Sequence, residues 1–125
     1  MDTIYWILIG IALIVILFII LTYFQAKKAS IKLNEEDFKK HMRKGQLIDV
    51  RSQQEYKSGH INGARNINIQ TIMRNFHHLR KDQPIYLYCN NGRKSSRAAI
   101  FLRARGYADI YELENGLRNW SGLLK

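Results

Sequence analysis

From Ile4 to Phe24 the chain runs IYWILIGIALIVILFIILTYF, 21 residues without a charged side chain. As a helix this stretch is about 31 Å long, close to the roughly 30 Å of a bilayer's hydrocarbon. The rest of a 125-residue chain is too small to surround such a helix with a core of its own. Tyr5 and Trp6 at one end and Tyr23 at the other suit the two interfaces. A cleaved signal peptide is the main alternative. Against it, Lys and Arg are missing ahead of the apolar run, and the run is too long. Phe24 and Gln25, before a cut after Ala26, do not make a small-residue site. The expectation is a single-pass transmembrane anchor over residues 1–26, followed by one domain over 27–125. Lys27, Lys28 and Lys32 follow the span, whereas only Asp2 and the amino terminus precede it. The positive-inside rule then places the protein in the cell membrane with the C-terminal domain in the cytoplasm.

Beyond the span the chain is strongly basic. Asp2 is the only charged side chain before Lys27, so the remainder carries 20 basic against 9 acidic residues. Such an excess suits anionic substrates or lipid headgroups. Nucleic acid is not expected as a partner, because the basic residues are scattered and no nucleic-acid motif is present. The single cysteine, Cys89, excludes an intrachain disulfide, a CxxC redox pair and a cysteine-based zinc site in one chain. A reduced thiol is most easily kept in a cytosolic setting.

Gln25 to Ser30 reads as a polar linker and Ile31 to Leu33 as a first strand. Asn34 is a good helix N-cap, with Glu35, Glu36 and Asp37 in the first turn. That spacing favours a helix start over a metal site. Phe38 and Met42 share a face, and Gly45 ends the helix. Leu47 to Val50 forms a strand, Ser52 caps a brief helix through Tyr56, and Gly59 breaks it. Asp49 and Arg51 are expected to pair and fix the adjoining loops, with His60 a hydrogen-bonded scaffold residue. Ile61 to Ile69 reads as a strand and the following residues as a helix to about Leu79. His77 and His78 are neighbours and point apart, which argues against a metal role. Ile110 to Leu113 is the last strand. Gly116 to Leu124 reads as a closing helix with Leu117, Trp120 and Leu124 on one face, the tryptophan in the core. Strands alternate with helices from residue 31 onward, which predicts an α/β fold with a parallel sheet and helices on both faces.

The chemistry concentrates in Pro84 to Ala99, PIYLYCNNGRKSSRAA. An apolar run from Ile85 to Tyr88 ends at Cys89. Six small, polar or basic residues follow, and Ala98, Ala99, Phe101 and Leu102 then recur at helical spacing up to Gly106. The cysteine therefore belongs where a buried strand turns into a helix. In a parallel sheet, ligands bind beyond the carboxyl ends of the strands. The unpaired first N–H groups of a helix favour an anion there, thiolate included. Arg93, Lys94 and Arg97 add positive charge. A buried structural cysteine would need no Gly-containing basic loop directly after it, so Cys89 is read as a nucleophile.

Three stretches in order resemble single-domain rhodaneses. They are CNNGRKSSRAA from Cys89, LIDVRSQQEYKSGHINGARNI from Leu47 to Ile67, and GYADIYELENGLRNW from Gly106 to Trp120. The family loop is roughly Cys-x-x-Gly-x-Arg-Ser. Lys94 stands where Arg is usual, and Asn115 where Gly is frequent. The resemblance implies a five-stranded rhodanese-like sheet and a sulfurtransferase with Cys89 as catalytic nucleophile, carrying a persulfide. The amides of Asn90, Asn91, Gly92, Arg93, Lys94 and Ser95 would cradle the anionic sulfur, Gly92 would let the loop curl, Arg93 or Lys94 would attract the donor, and Ser95 would cap the helix. A small anionic donor such as thiosulfate and an external thiol or cyanide acceptor follow, with no metal or organic cofactor.

Two other classes compete. Dual-specificity phosphatases use Cys-x5-Arg, but that position here is Ser95, with the basic residue one earlier at Lys94. A binding or regulatory module tethered to the membrane would have no need of Cys89. The charge asymmetry around the span is tested by protease added to whole cells. The domain should survive until the cells are permeabilised, and digestion in intact cells would reverse the orientation. A mature form starting near residue 27 would identify a signal peptide instead.

Overall fold

A computed structural model describes residues 2–27 and 30–125. Lys28, one of the cations behind the topology expectation, lies outside the described residues. Helix α1 spans Asp2–Lys27, and its described side chains as far as Phe24 are exposed apart from the half-buried Gly10. Among the described residues it is the one helix long and apolar enough to cross a membrane.

The domain is a five-stranded sheet of β1 (Ile31–Leu33), β2 (Gln46–Asp49), β3 (Arg65–Asn66), β4 (Ile85–Tyr88) and β5 (Ile110–Leu113). Its order is β1-β5-β4-β2-β3, and every pairing is parallel. Helices α2 (Glu35–His41), α3 (Gln53–Ser58), α4 (Ile69–Arg74) and α5 (Arg93–Ala104) complete the described elements, with 3-10 turns at Met42–Lys44, Phe76–His78 and Gly116–Asn119. Alternate residues of the central strands face opposite sides. Ile48, Ile85 and Leu87 join Ile72, Ala98, Ala99 and Leu102 of α4 and α5 in one core. Leu47, Tyr86 and Tyr88 join Phe38 and Met42 in the other. Helices therefore cover both faces, as the alternating pattern requires.

The start signals act as expected. The Asn34 side chain accepts the Asp37 N–H at 2.8 Å, and Ser52 with Glu55 makes a capping box at the start of α3. Several boundaries differ from expectation. Over Ile61 to Ile69 only Arg65–Asn66 is strand, while Ile61 makes an isolated antiparallel bridge to Leu124. Gly63, at φ 89°, turns the chain there, and the Asn68 side chain accepts the Thr71 N–H to start α4 at Ile69. That helix stops at Arg74, short of Leu79, because Asn75 leaves helical geometry at φ −149°. The closing helix is one 3-10 turn. The Glu35 carboxylate accepts the N–H groups of Ser121 and Gly122 and holds the chain out of a helix there. Leu124 is consequently 46% exposed. Trp120 is half-buried, edge-on to the fully buried Phe38 at 6.5 Å.

The turn after β5 backs the segment that follows β4. The N–H of Leu117 donates to the Cys89 carbonyl at 2.9 Å and that of Arg118 to the Asn90 carbonyl at 3.0 Å. Asn115 and Gly116 both sit at φ 61°. Asn tolerates the left-handed region better than most residues, which explains why it can stand at position 115. Gly116 has a stronger constraint, since a Cβ there would overlap the Cys89 carbonyl oxygen and the Asn90 backbone. Gly116→Ala should therefore cost about 2 kcal/mol, the range of overpacking at a position with no slack. Urea unfolding in detergent checks it; an unchanged midpoint would show that the loop yields freely.

Candidate active site

Strand β4 is buried along its whole length, and Cys89 directly after it is 1% exposed. The chain then curls back over the sulfur. Gly92 takes φ 90° at the N-cap position of α5, a conformation that glycine adopts without steric cost. The curl aims two backbone donors at Sγ, the Gly92 N–H at 3.0 Å and the Ser95 N–H at 3.4 Å. The Ser95 hydroxyl lies 3.5 Å from the same sulfur. Helix α5 is 12 residues long, so its positive end also bears on this point.

The expectation for Ser95 needs correction. The helix begins at Arg93, two residues earlier than a Ser95 start, and Gly92 occupies the cap position. Ser95 lies in the first turn. Its hydroxyl reaches the Gly92 carbonyl at 3.1 Å and Glu112 Oε1 at 3.0 Å. The other expected loop residues divide by environment. Asn90 is exposed; its Oδ1 accepts from Arg51 and its Nδ2 donates to Glu55. The Asn91 side chain accepts the Arg93 N–H at 3.0 Å, so that amide turns away from the sulfur. Arg93 is exposed and Lys94 half-buried. Asn90, Asn91, Arg93 and Lys94 line a cavity of about 180 Å³ around Cys89, together with Arg51 and Arg97.

Arg51 brings a distant segment to this cavity. Its guanidinium pairs with Asp49 at 2.7 Å, donates to the Gly59 carbonyl at 2.5 Å and reaches Asn90 Oδ1 at 3.2 Å. Burial works against that charge, but the adjacent Asp49 more than offsets it, so the guanidinium titrates above the ordinary arginine value. Burial also pushes the Tyr88 hydroxyl upward, and the Asp49 charge adds to the shift. Burial would raise Glu55, yet hydrogen bonds from Asn90 and Ser52 hold its carboxyl below the usual range. His60 has the scaffold place expected of it, its Nδ1 2.9 Å from the Tyr56 carbonyl and its ring stacked on Tyr56.

One participant was not anticipated. Glu112 is 2% exposed, and its carboxylate accepts the hydroxyls of Ser95 at 3.0 Å, Ser96 at 2.9 Å and Ser30. The signal was an acidic residue inside an otherwise apolar strand, Ile110 to Leu113. The partners come from segments too distant in sequence to suggest it.

The arrangement offers a sulfur nucleophile at the floor of a small cationic cavity, with N–H donors aimed at it. The Rhodanese-like domain family matches residues 34–123. The uncharacterized protein YqhL of Bacillus subtilis is 42% identical over 110 residues, spanning 88% of this chain and 87% of that protein. The thiosulfate sulfurtransferase GlpE of Shewanella oneidensis is 32% identical over 75 residues, 60% of this chain and 74% of that protein. Among solved structures, a rhodanese-like domain protein from Staphylococcus aureus has a TM-score of 0.67 at 28% identity, covering 74% of this chain and 95% of that one. With its sheet, its cysteine loop and more than half its length in that match, the chain belongs to the rhodanese-like domain family.

Proposed function

We propose that the protein is a membrane-anchored sulfurtransferase that moves a sulfane sulfur through a persulfide on Cys89. The observation that carries this reading is the pair of N–H groups, from Gly92 and Ser95, directed at Sγ. Such donors fit a thiolate. The thiolate attacks the outer sulfur of a donor such as thiosulfate and a new S–S bond forms. The donor's own S–S bond breaks, and its electron pair leaves with sulfite. The outer sulfur of the persulfide then lies about 2 Å beyond Sγ, toward the backbone of Asn90 to Ser95, where preorganised donors stabilise its charge. Arg93 and Lys94 draw the anionic donor in, and Arg51 adds a third cation at the cavity wall. An acceptor thiolate attacks the outer sulfur and releases Cys89 as thiolate; cyanide does the same and leaves as thiocyanate. Cys89 is the only cysteine, so the acceptor thiol belongs to another molecule. The cycle as written requires no metal or organic cofactor.

Residues 4–24 hold the domain at the cell membrane in this reading, with the domain in the cytoplasm. An exposed apolar helix and the lysines after it support that placement.

Intact-mass analysis tests the chemistry. Thiosulfate should add one sulfur atom, cyanide should remove it, and Cys89→Ser should abolish both, because a hydroxyl cannot hold a persulfide. Aryl-phosphate hydrolysis should stay at background. A wild type that hydrolyses the phosphate and takes up no sulfur would reject the proposal. Lys94 supplies a second prediction. Arg offers a planar fork for two oxygens, whereas Lys is a compact mobile charge. Lys94→Arg should lower the KM for thiosulfate by the equivalent of about 1 kcal/mol and change kcat less. Steady-state thiocyanate formation at equal ionic strength measures this. An equal or higher KM would shift donor binding to Arg93 and the loop amides.

A further inference from the structure

Next to the Cys89 cavity lies a larger bay of about 570 Å³. Residues of β1, β5, the catalytic loop and the start of α5 bound it. Asn91, Arg93 and Arg97 line both spaces, so the two adjoin across the loop. Lys32 of β1 lines the bay alone. The lining carries both signs of charge. Lys32, Arg93 and Arg97 are all exposed, and among the described residues none of them makes an ion pair. Glu112 also lines the bay, but it is 2% exposed and its carboxylate is taken up by the hydroxyls of Ser30, Ser95 and Ser96. Glu114 is the exposed carboxylate of the lining.

We infer that this bay binds the sulfur acceptor, and that the acceptor is a small zwitterionic thiol of amino-acid type. The inference rests on the persulfide chemistry proposed for Cys89. A bay of this volume is in the range of small-molecule sites, and neither thiosulfate nor cyanide needs that much space. In the second half-reaction the acceptor must approach the outer sulfur from the open side, where the bay adjoins. Arg93 and Arg97 can grip a carboxylate through their forks while Lys32 acts as a point charge. Glu114 faces an ammonium group. An apolar thiol would find Leu113 alone among apolar side chains. The thiolate forms its S–S bond to the outer sulfur, the Cys89 S–S bond breaks, and its electron pair returns to Cys89. The product is the acceptor persulfide. Lys32 is then a specificity-determining residue for the acceptor and takes no part in loading from the donor.

The test uses the full chain in detergent, loaded with one sulfur from saturating thiosulfate and freed of excess donor. Single-turnover discharge is followed by intact mass against the concentration of cysteine, 3-mercaptopropionate, cysteamine and 2-mercaptoethanol, with rates compared per thiolate. Cysteine should half-saturate at the lowest concentration and 3-mercaptopropionate next. Lys32→Glu should raise the half-saturating concentration of both roughly fivefold. It should leave discharge by 2-mercaptoethanol and sulfur loading unchanged. Glu114→Gln should remove the advantage of cysteine over 3-mercaptopropionate. Equal half-saturation by carboxylated and neutral thiols, or no response to Lys32→Glu, overturns the inference. Cyanide discharge run in parallel separates the two levels. A loaded protein that yields thiocyanate but shows no preference loses only the acceptor bay. One that takes up no sulfur loses the persulfide reading as well.

Discussion

Arg51 and Asp49 are almost sealed from water, at 6% and 0% exposure, and the rest of the site leans on the contact between them. Two charges can remain in such a place only when each satisfies the other and the surrounding dipoles complete the set. Here Asp49 accepts the Arg51 backbone N–H as well as its guanidinium, and Arg51 spends its remaining donors on the Gly59 carbonyl and Asn90. The pair thereby ties the end of β2, the end of α3 and the loop after Cys89 to one point. Such pairs contribute less by attraction than through the penalty for orphaning one member, about 3–5 kcal/mol. Their use here is geometric, because the cysteine loop is held from the β2 side by a group that cannot move without exposing a buried charge.

A second restraint acts from the opposite side. The turn at Gly116–Asn119 presses its backbone against Cys89 and Asn90, close enough to exclude a side chain at position 116. Between these two restraints the loop has little freedom, and its amides stay pointed at the sulfur. Preorganised donors of this kind need no reorganisation when charge develops. The Ser95 hydroxyl, shared among Gly92, Glu112 and the sulfur, completes the packing under the cysteine.

Electrostatics gives the site its direction. The chain carries a net charge of +10, and four basic side chains converge on the cavity above Cys89. A concave, positively lined site raises the local concentration of anions. That field suits an anionic sulfur donor, and the exposed Glu114 beside it modulates the field where the bay widens. Lys32 enters this picture because β1 follows α1 closely in the chain, so the segment after the apolar helix also furnishes a wall of the bay.

Much of this could be read from the residues themselves. The apolar run from Ile4 to Phe24 dictates one long helix, and its described side chains are exposed. The alternation of short apolar strands with helical patterns dictates a parallel sheet. Asn34, Ser52 and Gly92 mark local turns whose geometry is decided within three or four residues. Asp49 and Arg51 are two apart, close enough for their pairing to be anticipated. What remained hidden is mainly non-local. Local pattern placed the closing helix wrongly because Glu35 intervenes from far along the chain, and it carried the Ile61 to Ile69 strand through the turn at Gly63 and the cap at Asn68. The reach of Arg51 to Asn90 crosses 39 positions, and that of Ser30 to Glu112 crosses 82. Both exist because β1 lies beside β5, and β2 beside β4, in an order unlike that of the sequence. Residue types and spacing decided which groups could take part in sulfur chemistry. Only the sheet order, which brings distant strand ends to one edge, decided which of them share a cavity.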